Sequence, residues 1–210
     1  METVVGPART VPKVLRDGSV VHLRRADRRD AAGVLELLHS LSLHSRAMRF
    51  GTAAIDLPSA ARGALEHRGV IAFVADGNCV GHAWYVPTTT DHAEVALLVA
   101  DRYRGRGLGT ILLRKLAAVA ASRGISAFEG YVIPENTEMS QLIRGFGHGI
   151  RTRPEAGFLK FEITTSAPSC AMWPEGKVAV ITGAAKGIGL ATTESSSKKA
   201  PAWSPRTEIR

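Results

Sequence analysis

The amino-acid sequence predicts an α/β domain spanning residues 19–163. Over that span short apolar runs alternate with helical stripes, separated by turn residues. One stretch, 108–122, is an amphipathic helix entered through a glycine-rich loop. Asp76-Gly77-Asn78 sits between two apolar runs, where a hairpin needs residues that tolerate positive φ.

The elements follow in order. Val20–Arg24 alternates as a first strand. Asp30 stands at an N-cap position, and Val34, Leu35, Leu37, Leu38 and Leu41 supply a helical stripe behind it. A second helix follows Asp56, with Pro58 in its first turn, Ala60, Ala61, Ala64 and Leu65 on its face, and Gly69 at its end. Val70–Ala75 and Cys79–Val86 form the hairpin, and Glu94–Ala100 is a third apolar strand. In the long helix Leu108, Ile111, Leu112, Leu116, Val119 and Ala120 share a face, and Gly124 caps it. Ala127–Ile133 reads as a strand, Asn136–Arg144 as a short helix and Phe158–Ile163 as a last strand.

Residues 1–18 carry Gly6, Pro7, Pro12 and Gly18 without sustained periodicity and are expected as a flexible arm. Residues 164–210 turn rich in Ser, Thr and Pro and are expected as a largely disordered tail. At 210 residues the chain accommodates one domain of about 150 residues and an extra segment. Its 45% apolar and 22% charged residues exclude wholesale disorder. No apolar run approaches the roughly 18 residues that span a bilayer, and the first residues show no secretory pattern. Two distant cysteines, Cys79 and Cys170, make no disulfide framework or zinc ribbon, so a reducing cytoplasm is the expected location, away from membranes. The net charge of +8 favours anionic partners. Its basic residues fall in small clusters with no RNA-binding motif and only 6% aromatics, so a phosphate-bearing small molecule is expected rather than nucleic acid.

The sharpest feature is the run Arg102-Tyr103-Arg104-Gly105-Arg106-Gly107-Leu108-Gly109-Thr110, between a buried strand and the strongest helix. Glycines let the backbone approach a ligand, and the free N–H groups and dipole of a helix start attract an anion. The glycine spacing differs from the dinucleotide G-x-G-x-x-G, and no Walker-type Gly-Lys-Ser/Thr is present.

Arg104-x-x-Gly107-x-Gly109 resembles the Q/R-x-x-G-x-G/A signature of the GNAT acetyltransferase superfamily. The resemblance covers residues 19–163 in element order. It includes Glu94–Asp101, similar to the family's central strand, and Pro134–Met139, similar to its Asn-bearing turn and short helix. It implies the acyl-CoA N-acyltransferase fold, a mixed, mostly antiparallel sheet flanked by helices. It also implies acetyl-CoA as cosubstrate, with the backbone of Arg104, Gly105, Arg106, Gly107, Leu108, Gly109 and Thr110 on its pyrophosphate. Main-chain groups at Leu98 and Val99 would polarise the thioester carbonyl. Asn136 would face the cofactor, or serve simply as an N-cap.

Acetyl transfer to an amine needs a neutral nucleophile, and a lysine amine with a pKa of about 10.4 is almost wholly protonated at pH 7. Ala93-Glu94-Val95-Ala96 resembles the Ala-Glu-x-Ala of bacterial protein-lysine acetyltransferases, in which the glutamate is the base. Glu94 is therefore the expected catalytic base; a solvated strand-end carboxylate is the plainer alternative. Many relatives place an acidic tyrosine seven residues after the helix asparagine. Here that position is Ile143, as in protein-modifying members that lack it. The acceptor is expected to be a protein lysine. The alternatives are a small-molecule amine or aminoglycoside acceptor, and a non-catalytic acyl-CoA-sensing module. The seven histidines form no ligand spacing, so no metal is expected. His82 and His92 flank the acceptor cleft; either is a candidate to assist proton transfer, with a partly exposed bystander as the commoner reading. Cys79 reads as a buried hydrophobe.

Residues 177–191 resemble the opening of a short-chain dehydrogenase, with Thr182-Gly183 through Gly187-x-Gly189 as its pyrophosphate turn. Only 21 residues follow Gly189, and no Tyr-x-x-x-Lys lies beyond it. The segment is read as a truncated remnant, and NAD(P) is not expected as a cofactor.

Overall fold

A computed structural model describes residues 10–146 and 149–165. Its strands are β1 (Val11–Val14), β2 (Val20–Arg25), β3 (Arg68–Phe73), β4 (Cys79–Pro87), β5 (His92–Val99), β6 (Ala127–Val132), β7 (Ile150–Glu155) and β8 (Phe158–Thr164). Its helices are α1 (Ala31–Ser40), α2 (Leu43–Phe50), α3 (Leu57–Glu66), α4 (Leu108–Ala121) and α5 (Thr137–Arg144). The strands make one sheet in the order β1-β2-β3-β4-β5-β6-β8-β7. Among the described strands only β5 and β6 run parallel; the other neighbours are antiparallel. The mixed, mostly antiparallel sheet flanked by helices is therefore the observed fold.

Strand alternation divides the core in two. Val80, Ala83, Tyr85 and Val95 pack under α4 with Leu108, Leu112 and Leu116. Ile71, Trp84, Leu98 and Ala100 pack on the other face under α1 and α3, with Leu37, Leu38 and Ala61. At the β3–β4 turn Gly77 takes φ +85°, and Asp76 Oδ1 accepts the Asn78 N–H at 3.0 Å.

Several expectations change. Val11–Val14, placed in a flexible arm, is an edge strand on β2, and Leu15 behind it is buried. All four residues of β1 are exposed, so no apolar alternation announces it. Asp30 occupies the N-cap position of α1 but gives its carboxylate to Arg24 and the Asp27 N–H instead. That ion pair withdraws Arg24 from the basic surface. Gly69 does not end α3; it lies within β3, where a Cβ would come 2.7 Å from both the Ala83 carbonyl oxygen and His82 Nε2. The sequence reading missed α2, whose Ser42 cap accepts the Ser45 N–H, and β7, a polar edge strand holding Arg151 and Arg153. Beyond Thr165 the tail, including the dehydrogenase-like 177–191, lies outside the described residues.

Candidate active site

The loop between β5 and α4 takes the shape expected of an anion cradle. Gly105 and Gly107 adopt φ +69° and +90°, in the left-handed region where a side chain is strained. Gly107 is the N-cap residue of α4, and no side chain among the described residues caps the helix, so its first N–H groups face outward unclaimed by a cap. Leu108 is fully buried by side chain, so its backbone alone is available to a ligand; Thr110 is half-buried in the first turn.

Gly109 has a different reason to be glycine. A Cβ there would lie 2.5 Å from Leu142 Cδ1, so the missing side chain makes room for α5 as much as for a ligand. The arginines are also engaged. Arg104 pairs with Asp101 at 3.1 Å and Glu138 at 2.8 Å, and Arg106 pairs with Asp17 at 2.6 Å. Burial works against ionisation of Asp101, but the Ser42 N–H, the Ser45 hydroxyl and Arg104 hold its carboxyl below the ordinary value. These bonds tie α2 to the loop. The supposed arm belongs here too: the Arg16 N–H donates to the Arg106 carbonyl at 3.0 Å, and the Arg16 side chain lies over Gly107. Asn136 caps α5, its Oδ1 accepting the Met139 N–H at 3.0 Å.

Beside the loop the sheet opens. The parallel ladder runs through His92–Ala127, Ala93–Phe128 and Glu94–Glu129 and then stops, while β5 continues to Val99 and β6 to Val132. The Ala100 N–H donates to the Val80 carbonyl, across β4. Strand alternation therefore turns the Leu98 backbone toward β4 as well, and that of Val99 toward the open side. Of the two expected carbonyl-polarising residues, Val99 is the one whose amide faces the open side. The loop glycines, the uncapped helix start and this gap together fit a pyrophosphate followed by an acyl thioester, the parts of acetyl-CoA.

Glu94 lies at the head of the gap. It is exposed and shares the α1/α3 face with Ala96 and Leu98. Glu129, its in-register neighbour on β6, brings a second carboxylate to that face and accepts the Thr88 hydroxyl at 2.7 Å. Sequence reading missed Glu129, though strand alternation in Ala127–Ile133 puts it on the polar side. Arg49 of α2 reaches the same region, its guanidinium carbon 5.0 Å from the Trp84 and Phe50 ring centroids. Burial pulls the Arg49 guanidinium below its ordinary pKa, against the attraction of Glu94.

The histidines depart from expectation. His82 is not partly exposed: it is fully buried, stacked on Trp84 with centroids 4.9 Å apart. Among the described residues neither ring nitrogen has a hydrogen-bond partner, and burial lowers its pKa to about 4. His92 stays near the surface, its pKa raised by the hydrogen bond to Asp91. Ile143, at the position of the family's acidic tyrosine, is core. Cys79 is buried, its thiol pushed up to about 12 by desolvation. Among the described residues no group of three or more His, Cys, Asp or Glu gathers for a metal, and no helix is long and apolar enough to cross a membrane. A cavity of about 260 Å³ lined by Arg25, Glu66, His67, Arg68 and Arg123 lies at the other end of α4 and is separate from this site.

Known proteins resemble this chain in sequence and fold. A mycothiol acetyltransferase from Geodermatophilus obscurus is 32% identical over 126 residues, covering 57% of this chain. The chain spans only 40% of the length of that relative. The crystal structure of the GNAT domain of S. lividans PAT superposes with a TM-score of 0.65 at 27% identity, over 74% of this chain and 96% of that one. The structure of yncA from Salmonella typhimurium, solved with its cofactor acetyl-CoA, shares the fold: TM-score 0.53, 20% identity, 71% of this chain and 98% of that one. Residues 37–148, from α1 through the glycine loop to the end of α5, match the model of the acetyltransferase (GNAT) family, and the chain belongs to that family.

Proposed function

We propose that this domain transfers an acetyl group from acetyl-CoA to an amine, with Glu94 as the base, and that the leading acceptor is a protein lysine. The observation that carries this is the position of Glu94. It is an exposed carboxylate at the point where β5 and β6 part, on the face opposite α4. When bound, acetyl-CoA supplies an activated acetyl thioester. The chain's part is to hold it by the backbone of residues 104–110, to offer the Val99 N–H in the gap, and to take a proton from the incoming ammonium at Glu94. Glu129 beside Glu94 adds negative charge that draws the cationic amine to this face. The buried Ile143 leaves the departing thiolate without a tyrosine acid, which coenzyme A, a good leaving group, tolerates.

The protein-lysine reading rests on the similarity of Ala93-Glu94-Val95-Ala96 to protein-modifying members. A small-molecule amine is the second reading, supported by the mycothiol acetyltransferase relative. The test is a pH–rate profile of wild type and Glu94→Gln, read by thiol release against proteins and small amines. Glu94→Gln should lower turnover by about 10²–10⁴-fold at neutral pH, the usual worth of a general base. Acetyl-CoA affinity should hold, and high pH should partly rescue the rate because more of the amine is already neutral. Full activity of Glu94→Gln at pH 7 would move the base elsewhere, with His92 next. Absence of turnover by wild type on any amine would favour an acyl-CoA sensor.

A further inference from the structure

A cation near Glu94, Arg49, has no partner among the described residues. Arg49 makes no ion pair among the described residues, and its Nε is sealed from solvent with no hydrogen-bond acceptor. Its neighbours are aromatic: the guanidinium lies over Trp84 and Phe50. Stacking of this kind orients an arginine but leaves its in-plane donors unsatisfied, and guanidinium donors match a carboxylate in a two-pronged bond. A desolvated charge is normally paired. Glu94 attracts Arg49 but does not come within ion-pair distance of it. One face of the sheet thus offers two carboxylates, Glu94 and Glu129, and near them a cation with open donors.

We propose that Arg49 receives a carboxylate carried by the acceptor, so that the substrate is an amine that also bears a carboxylate. The ammonium goes to Glu94 and Glu129, and the carboxylate to the guanidinium stacked on Trp84. Two sources present this chemistry: a free amino acid, and a lysine with an acidic neighbour in a polypeptide. The inference rests on the assignment of the acceptor face to Glu94. Arg49 is a specificity residue in it, acting on the part of the substrate that does not react.

Two measurements on the full chain test this. In the first, kcat/KM is compared within acceptor pairs matched in size and in amine basicity: 6-aminohexanoate against 6-aminohexanamide, and N-acetyl-Glu-Lys-amide against N-acetyl-Gln-Lys-amide. Wild type should prefer the acid in at least one pair by about 10–100-fold, the worth of a charge-assisted bond. The pair that shows it identifies the source. Arg49→Met, which keeps an unbranched apolar stem over Trp84, should bring that ratio close to one, and Arg49→Lys should restore part of it. In the second, the Arg49 Nε–Hε NMR resonance, identified by its loss in Arg49→Lys, is followed with glutarate and with glutaramide. Glutarate should shift it saturably and glutaramide should not.

A wild-type ratio near one in both pairs, an unchanged ratio in Arg49→Met, or no saturable shift with glutarate overturns the proposal. If no amine is turned over, the acetyl-transfer reading fails, and the NMR titration decides the carboxylate site by itself. If Arg49 instead serves only to hold Glu94, Arg49→Met will alter the pH profile for acid and amide alike and leave their ratio intact, which also overturns it.

Discussion

Lowering the pH from 7 to 5 should weaken this domain by about 2 kcal/mol through one side chain, His82. His82 lies on β4, its ring fully buried and stacked on Trp84 with both nitrogens unpartnered among the described residues, and burial lowers its pKa to about 4. In the unfolded chain the ordinary value is about 6.5. Between those values the unfolded ensemble carries a proton that the native state does not. Proton uptake therefore favours unfolding, and stability falls as pH drops through the window from about 6.5 to about 4. At pH 5 the ratio of binding polynomials, about 30, corresponds to about 2 kcal/mol; below pH 4 the loss levels off at about 3 kcal/mol. That is a sizeable part of the 5–15 kcal/mol typical of a domain. The assay is urea unfolding of wild type, His82→Leu and His82→Gln at pH 7 and pH 5, followed by circular dichroism. Other groups titrate in all three proteins, so the difference of differences isolates His82. Both variants should lose about 2 kcal/mol less than wild type between the two pH values. At pH 7, His82→Leu should be no less stable than wild type, because it removes two buried polar atoms that have no partners. An equal pH dependence in all three proteins, or an NMR titration of the His82 ring with its midpoint above pH 6, would refute the reasoning.

Other perturbations separate the roles of the remaining groups. Gly107→Val places a β-branched residue at φ +90°, a strain of at least about 1–2 kcal/mol, and should lower coenzyme A affinity tenfold or more by calorimetry while far-UV dichroism is retained. Gly109→Val should in addition loosen α5, because its side chain enters the space of Leu142; hydrogen exchange across Thr137–Arg144 should rise in this variant and not in Gly107→Val. Cys79, with its thiol pushed up to about 12 by burial, should resist maleimide at pH 8 in the native protein and react after denaturation, as read by peptide mapping.

Much of this protein is decided by its sequence alone, because the deciding forces are local. The 3.6-residue stripe of Leu108, Leu112 and Leu116, the Asp76-Gly77-Asn78 turn and the glycines at 105 and 107 each act through the backbone of a few adjacent residues. Their consequences, a buried helix face, a hairpin and an outward-facing helix start, needed nothing distant. Gly109 shows the limit of that reasoning: the same residue type in the same motif answers partly to Leu142, on a helix formed much later in the chain. Strand β1 escaped notice because an exposed edge strand is held by main-chain bonds to β2, which leave no apolar pattern in the sequence.

Tertiary structure alone decided which side chains from different elements meet. Packing of α1 and α3 on the sheet buried the β4 face that His82 shares with Trp84, and the β5–β6 register set Glu129 beside Glu94. Docking of α2 brought Arg49 over Trp84, and the turn after β1 carried Arg16 and Asp17 onto the glycine loop. A residue's own periodicity states which way it points along its element. What it meets there depends on the neighbouring strand and on the helix laid across it, and long-range pairing supplies both.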